Sequence, residues 1–383
     1  MHVALVTETY PPEINGVALT VHNLAVGLRE MGARVDVVRP AHRDEMPGES
    51  GPGESSGDEL RLSGAALPYY PGLRFGWPAG RRLRQRWEAA RPDAIYIATE
   101  GPLGWSALNA ARHLGIPVAT GFHTRFDQYM GRYGLGLLAP VAFGWLRWFH
   151  NQSDVTLVPT RELARDLLAR GFQSVVQLSR AVDAGAFNPA CRNAALRARW
   201  LPEGSDAPVL IHVGRVAPEK NLDLAICAYR EIKAQQPATR MVMVGDGPSR
   251  AALEAANPDI VFTGMLRGQE LAEHFASADI FLFPSLSETF GNVTLEAMAS
   301  GIATVAYNYG AAREVLRDGE HGRAVECGDE AGFIAAACQV AADPELRRRM
   351  GQAARAAIVP MQPQQVCEDF SALLSGLALK GLA

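Results

Sequence analysis

The sequence predicts an α/β protein of two doubly wound domains, each a parallel sheet covered by helices on both faces. Three observations carry this expectation. Short, near-continuous apolar runs alternate with stretches of helical length along the chain, the pattern of parallel strands buried on both faces and joined by right-handed crossovers. The 383 residues exceed what one ordinary core accommodates. The alternation is interrupted over residues 184–206, which contain two prolines and little strand character. A hinge is placed there. The expected domains are residues 1–190 and 191–360, with a terminal helix, residues 361–383, packing back on the first.

Taken in order, residues 2–7 form an apolar strand that leads to Glu8. A Pro-Pro loop follows and ends at Asn15-Gly16, and a helix over residues 17–31 is closed by Gly32. Residues 34–39 are a second strand. Residues 44–58 are rich in Gly, Ser, Pro and Glu without periodicity and read as a mobile surface loop. Further strands are expected at residues 94–98, 117–120, 155–158 and 174–178. The pattern then repeats, with strands at residues 208–213, 240–244, 260–262, 280–283 and 302–306 separated by helices. An amphipathic helix starts at Pro363, after Pro360.

Composition narrows the function classes. Hydrophobic residues make up 48% and charged residues 20%, the balance of a globular protein rather than a disordered or collagen-like one. A net charge of −4 argues against a general affinity for nucleic acid. Five scattered cysteines without C-x-x-C spacing argue against a disulfide scaffold or zinc ribbon and fit a reducing cytoplasm. The first apolar run is too short for a signal peptide, and none reaches the roughly 18 residues of a membrane span. Residues 135–149, interrupted by Pro140 and Arg147, read as a buried or interfacial helix. Of 37 basic residues only Lys220, Lys233 and Lys380 are lysine, so a lysine inside a motif stands out.

In doubly wound domains ligands bind at the carboxyl ends of the strands, so the loops there carry the chemistry. Gly16 opens a helix and reads either as a plain turn or as a point where backbone amides approach a phosphate or hydroxyl. His123 ends a strand, within Gly121-Phe122-His123-Thr124, and suits either a structural hydrogen bond or contact with a polar ligand. Arg215 and Lys220 follow a strand end, with the lysine just before a helix. Two cations and a helix N-terminus make an anion site, the alternative being a solvated charged loop. Gly245-Asp246-Gly247-Pro248 resembles a dinucleotide fingerprint but has Arg250 where the third glycine belongs.

The strongest segment runs from Pro284 to Ala297. Glu288 lies in its loop, and Glu296 lies two turns into the helix region. Phe290, Gly291, Asn292 and Val293 offer amides at the helix start. Carboxylates suit paired sugar hydroxyls and amides suit phosphate. Together they describe a site for a nucleotide sugar.

The spacing of Glu288 and Glu296 resembles the E-x7-E motif of retaining glycosyltransferases. With Gly214-Arg215, Glu219-Lys220-Asn221, Gly245-Asp246-Gly247-Pro248 and Ala299-Ser300-Gly301, nearly the whole chain resembles glycosyltransferase family 4, which has the GT-B fold: two Rossmann-like domains facing across a cleft. The opening Glu8-Thr9-Tyr10-Pro11-Pro12, Asn15-Gly16-Val17 and the block from Phe122 to Phe126 are most similar to the bacterial GDP-mannose-dependent α-mannosyltransferase and sulfolipid-synthase branch.

The resemblance implies a retaining hexosyltransferase, with GDP-mannose as first donor and a UDP-sugar, as in glucosyl or sulfoquinovosyl glycolipid transferases, as alternative. Arg215 and Lys220 would hold the donor diphosphate. Glu288, helped by amides of residues 290–293, would bind the sugar hydroxyls and Glu296 the ribose. Gly264, Met265 and Leu266 would border the base, His123 would face the transferred sugar, and Gly16 would allow close approach near the diphosphate. Fixed cations and dipoles can neutralise the leaving diphosphate, and no Asp-x-Asp pair follows a strand, so no metal or other cofactor is expected.

The first domain would choose the acceptor, a glycolipid, a polyprenyl-linked sugar or a saccharide. Arg81, Arg82, Arg84 and Arg86 beside Trp77 and Trp87, and Trp145, Leu146, Trp148 and Phe149 around Arg147, fit contact with an anionic membrane surface. A solvated arginine face and a buried aromatic helix are the alternative. The expected location is cytoplasmic, at the inner face of the membrane if that contact forms. A nucleotide-sugar epimerase, an NAD oxidoreductase and a non-enzymatic sugar-binding protein are the competing readings. A starch or glycogen synthase is excluded because no lysine precedes Lys220 to form its Lys-x-Gly-Gly loop.

Overall fold

A computed structural model describes residues 1–13, 15–42, 45, 47–49, 59–66, 74–123 and 139–380. The chain divides into two compact units, Met1–Ser179 with Pro363–Ala383, and Arg180–Gln362. The first unit runs β1 (His2–Val6), α1 (Gly16–Glu30), β2 (Arg34–Pro40), β3 (Gly48–Glu49), β4 (Glu59–Leu62), β5 (Gly64–Ala66), β6 (Arg74–Gly76), α2 (Gly80–Ala89), β7 (Ala94–Ile97), α3 (Pro102–Leu114), β8 (Val118–Gly121), α4 (Ala139–His150), β9 (Val155–Val158), α5 (Arg161–Ala169) and β10 (Val175–Gln177).

Its sheet has the order β10-β9-β8-β7-β1-β2-β4-β3 among the described residues. The pairings are parallel except β3 against β4. β1 and β7 are central and wholly apolar apart from the edge residue His2, which is why they read so clearly in the sequence. In α1 the Asn15 side chain accepts the amides of Val17 and Ala18. Its buried stripe of Ala18, Val21, Leu24, Ala25 and Leu28 has helical spacing.

Part of residues 44–58 departs from the expected loop. Gly48–Glu49 pairs with β4, while residues 44, 46 and 50–58 lie outside the described residues. Nor does the apolar pattern announce β4. Only Leu60 and Leu62 of its four residues are buried, and it gains its place by pairing with β2.

The second unit runs α6 (Ala194–Trp200), β11 (Val209–Val213), α7 (Leu222–Gln235), β12 (Arg240–Val244), α8 (Arg250–Ala256), β13 (Val261–Gly264), α9 (Gly268–Ser277), β14 (Ile280–Phe283), α10 (Asn292–Ala299), β15 (Ala303–Tyr307), α11 (Ala311–Val315), β16 (Gly322–Val325), α12 (Glu330–Ala342) and α13 (Pro344–Ile358). Its parallel sheet has the order β13-β12-β11-β14-β15-β16, the doubly wound arrangement that reverses direction between its first and fourth strands.

The division between units falls after Ser179, earlier than residue 190. Val182 and Ala184 are buried with Phe290, Leu295 and Met298 of the second unit. Arg355 of α13 also donates to the carbonyls of Phe187 (3.1 Å) and Ala184 (3.3 Å), which ties residues 180–191 to that core.

The last helix, α14 (Pro363–Lys380), returns to the first unit. Cys367, Phe370 and Leu374, on one helical face, are buried with Val21, Leu24 and Leu28 of α1. The two helices meet at Gly27, where a Cβ would lie 2.2 Å from Cys367 Sγ. Alanine in a helix interior normally gains roughly 0.5–1 kcal/mol over glycine. Gly27→Ala is expected to lower the melting temperature instead, because overpacking costs about 1–3 kcal/mol. Adding Cys367→Ala should recover most of the loss. A single variant melting at or above wild type would contradict this packing.

Candidate active site

In the second unit the reversal of strand order opens the space between the ends of β11 and β14, and both key loops start there. The loop after β11 brings Lys220, in a single 3-10 turn (Pro218–Lys220), to the loop after β14. Lys220 Nζ forms an ion pair with Glu288 Oε1, and Ser285 Oγ donates to the same oxygen at 2.7 Å. Each charged side chain is 13% exposed. The ammonium also lies 5.6 Å from the centre of the Phe283 ring, a cation–π contact that holds the lysine over β14.

Arg215 Nε stands 3.4 Å from Glu219 Oε1, whose side chain is only 2% exposed. The Glu219 carbonyl accepts the Leu286 amide at 3.1 Å. Glu219 therefore joins the two loops and orients Arg215, a role the sequence reading did not assign.

α10 begins directly after this cluster. Gly291, with φ 94°, turns the chain into the helix, and no side chain caps it. The first amides of an α-helix have no intrahelical acceptor, so those of Asn292 and Val293 present a positive end beside Lys220 and Glu288. Phe290 contributes backbone only. Its ring is buried, and its carbonyl accepts the Ala311 amide at 2.6 Å.

Glu296 lies only about one turn into α10, not the two expected, because the helix begins at Asn292, and it has no ion-pair partner among the described residues. Burial pushes its pKa up to about 7. A carboxyl so placed lacks the cation that would normally accompany it.

The glycines after β11 and β12 serve close backbone contact. The Gly214 amide donates to Val244, the Val216 amide to Asp246 and the Gly245 amide to Gly264, at 3.0, 2.9 and 2.8 Å. A Cβ at Gly245 would lie 1.8 Å from the Gly214 carbonyl oxygen, and one at Gly247 2.3 Å from that of Val216. The superficial dinucleotide fingerprint is thus a seam between strand-end loops. The seam continues to Gly264 and Met265, the latter 50% exposed, while Leu266 leans on the core. The Arg250 guanidinium lies 3.0 Å from the Cβ position of Gly264.

Beneath Gly214 lies a further residue without a sequence-level signal. His212 is fully buried and stacked on Phe283, and its Nδ1 is 3.0 Å from the Leu282 carbonyl. Burial lowers its pKa to about 4, so it adds no charge under the loop at neutral pH.

Gly16 and His123 belong to the first unit. No described atom lies within 4 Å of a Cβ placed at Gly16, but Asn15 already accepts two first-turn amides of α1. His123 lies two residues beyond the end of β8, with Nε2 2.7 Å from the Tyr96 hydroxyl. Thr124, Arg125 and Phe126 lie outside the described residues. Glu8, after β1, accepts the Leu103 amide at the start of α3 at 2.9 Å. Burial raises its pKa to about 7 against the opposing pull of this amide.

The arginine and tryptophan clusters sort into buried and exposed members. Trp87, Leu146 and Phe149 are core residues, and Arg86 pairs with buried Asp36 at 3.2 Å. Arg81, Arg82 and Arg84 remain exposed on α2. Trp145 and Trp148 are 40% and 43% exposed and surround Trp105 of the neighbouring α3, with ring centres 5.8 and 4.7 Å away. No helix among the described residues is long and apolar enough to cross a membrane.

Glu8 and Glu296 have a testable consequence. Both carboxyls hold protons more tightly in the folded chain than in the unfolded one, where they titrate near 4.5. Their protonated forms favour folding below that pH, and the advantage is lost as pH rises through about 7. Thermal melts should therefore show stability falling from pH 5 to 8, less steeply in Glu296→Gln. An unchanged slope in that variant would refute its buried titration.

Comparison with known proteins identifies the family. Residues 14–185 match the family described as Glycosyltransferase Family 4, and residues 198–357 match Glycosyl transferases group 1. A GDP-mannose-dependent alpha-mannosyltransferase of Mycobacterium tuberculosis is 34% identical over 97% of this chain and 95% of its own length. A sulfoquinovosyl transferase of Arabidopsis thaliana is 32% identical over 92% of this chain and 69% of its own. Among solved structures, sucrose-phosphate synthase from Thermosynechococcus elongatus superposes with a TM-score of 0.78 at 19% identity, covering 98% of this chain and 99% of that one. With two doubly wound units and a strand-end cluster of cations, carboxylates and helix amides, the chain belongs to glycosyltransferase family 4 and is a hexosyltransferase of the GT-B fold.

Proposed function

We propose that the protein transfers mannose from GDP-mannose to a hydroxyl of a lipid-linked or saccharide acceptor, with retention of configuration and without a divalent metal. The observation that carries this reading is the convergence of Lys220, Glu288 and the α10 N-terminus where the strand order reverses.

Departure of the diphosphate leaves negative charge on its oxygens. Lys220 and Arg215 supply fixed positive charge there, and the α10 amides add oriented dipoles, so little reorganisation is needed as charge develops. Among the described residues the polar contacts of Glu288 fall on Oε1, which leaves Oε2 to accept sugar hydroxyls. Glu296 accepts the ribose hydroxyls. Its carboxylate form is the better acceptor, so nucleotide binding strengthens as pH rises through about 7. His123 and Gly16 take the parts the family pattern gives them, toward the transferred sugar and the diphosphate.

The preference for guanine is supported by the mannosyltransferase relative and by Arg250, whose guanidinium lies against Gly264. An arginine fork matches the paired acceptors O6 and N7 of guanine, an edge that uracil lacks. The acceptor side is supported by the exposed arginines of α2 and the tryptophans of α3 and α4. This combination suits the headgroup region of an anionic membrane at the cytoplasmic face.

Titration calorimetry with GDP, UDP and NAD in the presence of EDTA tests the donor. GDP should bind most tightly, and Arg250→Ala should weaken GDP by about tenfold while leaving UDP nearly unchanged. Tighter UDP binding would replace the donor with a UDP-sugar, as the sulfoquinovosyl relative allows. Binding of NAD alone would overturn the reading. In turnover assays Glu288→Ala should lose roughly a hundredfold or more in kcat with nucleotide affinity largely kept, whereas Glu296→Ala should lose affinity. Flotation with anionic vesicles tests the membrane contact, and no binding at low salt would refute it.

A further inference from the structure

Tyr96 is the third residue of β7, in the interior of the first sheet and 1% exposed. Its hydroxyl reaches the end of the neighbouring strand β8, 2.7 Å from Nε2 of His123. The two rings are perpendicular, with centres 6.3 Å apart. The Tyr96 ring also meets Phe370 of α14 edge to face, with centres 5.0 Å apart, and Phe370 is fully buried. One buried tyrosine therefore touches both the candidate site histidine and the returning helix.

The backbone makes room for this contact. A Cβ at Gly121 would lie 2.2 Å from the Tyr96 hydroxyl oxygen and 2.4 Å from His123 Nε2. Any other residue at position 121 would enter the hydrogen bond itself. The glycine two residues before the histidine is thus explained by the Tyr96–His123 pair, not by the turn.

A neutral imidazole exchanges between two tautomers and can turn about its ring bond. The tyrosine hydroxyl can donate to Nε2 or accept from it, so the contact suits either tautomer, and what it fixes is the plane in which the ring is presented to a ligand. Phe370 in turn restrains the tyrosine ring, and it does so only while α14 is seated on the first unit.

We propose that Tyr96 is a positioning residue for His123, and that the C-terminal helix holds this pair in register through Phe370. The docking of α14 thereby bears on the site as well as on stability. The proposal rests on the reading that His123 serves the transferred sugar, and the test separates the two.

The test uses the full chain with 15N-labelled histidine, and His123 signals are identified by their loss in His123→Ala. In the absence of substrate, Tyr96→Phe should keep the fold but shift the His123 ring signals. In turnover its kcat should fall about tenfold, the worth of one hydrogen bond in the transition state, with KM for the donor little changed. Gly121→Ala, which wedges the same contact, should give the same spectral change. Phe370→Leu should shift the His123 signals too.

Unaltered His123 signals in Tyr96→Phe would overturn the proposal. So would wild-type kcat in that variant when His123→Ala is inactive, a result that leaves the reading of His123 intact. Full activity of His123→Ala would fail that reading and the proposal with it. Unchanged signals in Phe370→Leu would remove the helix from the coupling.

Discussion

The ion pair between Lys220 and Glu288 is the constraint on which the second unit's chemistry depends. It joins loops from strands that are neighbours in the sheet but 68 residues apart along the chain. Where the winding of a doubly wound sheet reverses, the loops of two neighbouring strands lead to helices on opposite faces, which opens a crevice between them. The pair also solves an electrostatic problem. Each side chain is largely removed from water, where a lone charge would be costly, and each supplies the other's counter-charge until a ligand brings its own.

Around this pair the loops are fixed by backbone rather than by side chains. Hydrogen bonds run from Gly214 to Val244, from Val216 to Asp246 and from Gly245 to Gly264, so the ends of β11, β12 and β13 form one rigid rim. Glycine is required where carbonyl oxygens approach within the radius of a methyl group. The same close approach that excludes side chains leaves the rim open to a ligand, which is how a structural requirement becomes a binding surface.

The first unit repeats this plan with different chemistry. Its strand order also reverses, between β1 and β7. There Glu8, rather than an ion pair, links the two loops by accepting the first free amide region of α3. Among the described residues no cation pairs with this acid, and its burial raises its pKa. In the same sheet, Tyr96 connects the segment after β8 to α14. The returning helix therefore completes the first core instead of decorating it, since Cys367, Phe370 and Leu374 sit among the residues of α1 and the sheet.

Much of this was legible in the residues alone. The apolar strands β1, β2, β7, β11, β12 and β14 declare themselves because both faces are buried, so their composition is nearly context-free. Arg215, Lys220, Glu288 and Glu296 stand out in the sequence because they follow strand ends, where doubly wound domains bind ligands, and the fold pairs Lys220 with Glu288. Tertiary structure alone decided what depends on distant partners. β4 exists through pairing with β2, and residues 180–191 join the second unit through Arg355. Trp87 and Arg86 left the presumed surface patch because the fold supplied a core and Asp36. Glu219, His212 and Tyr96 gained their roles in the same way. Local pattern reports how a residue meets water and its chain neighbours, whereas these contacts form only once the chain has folded.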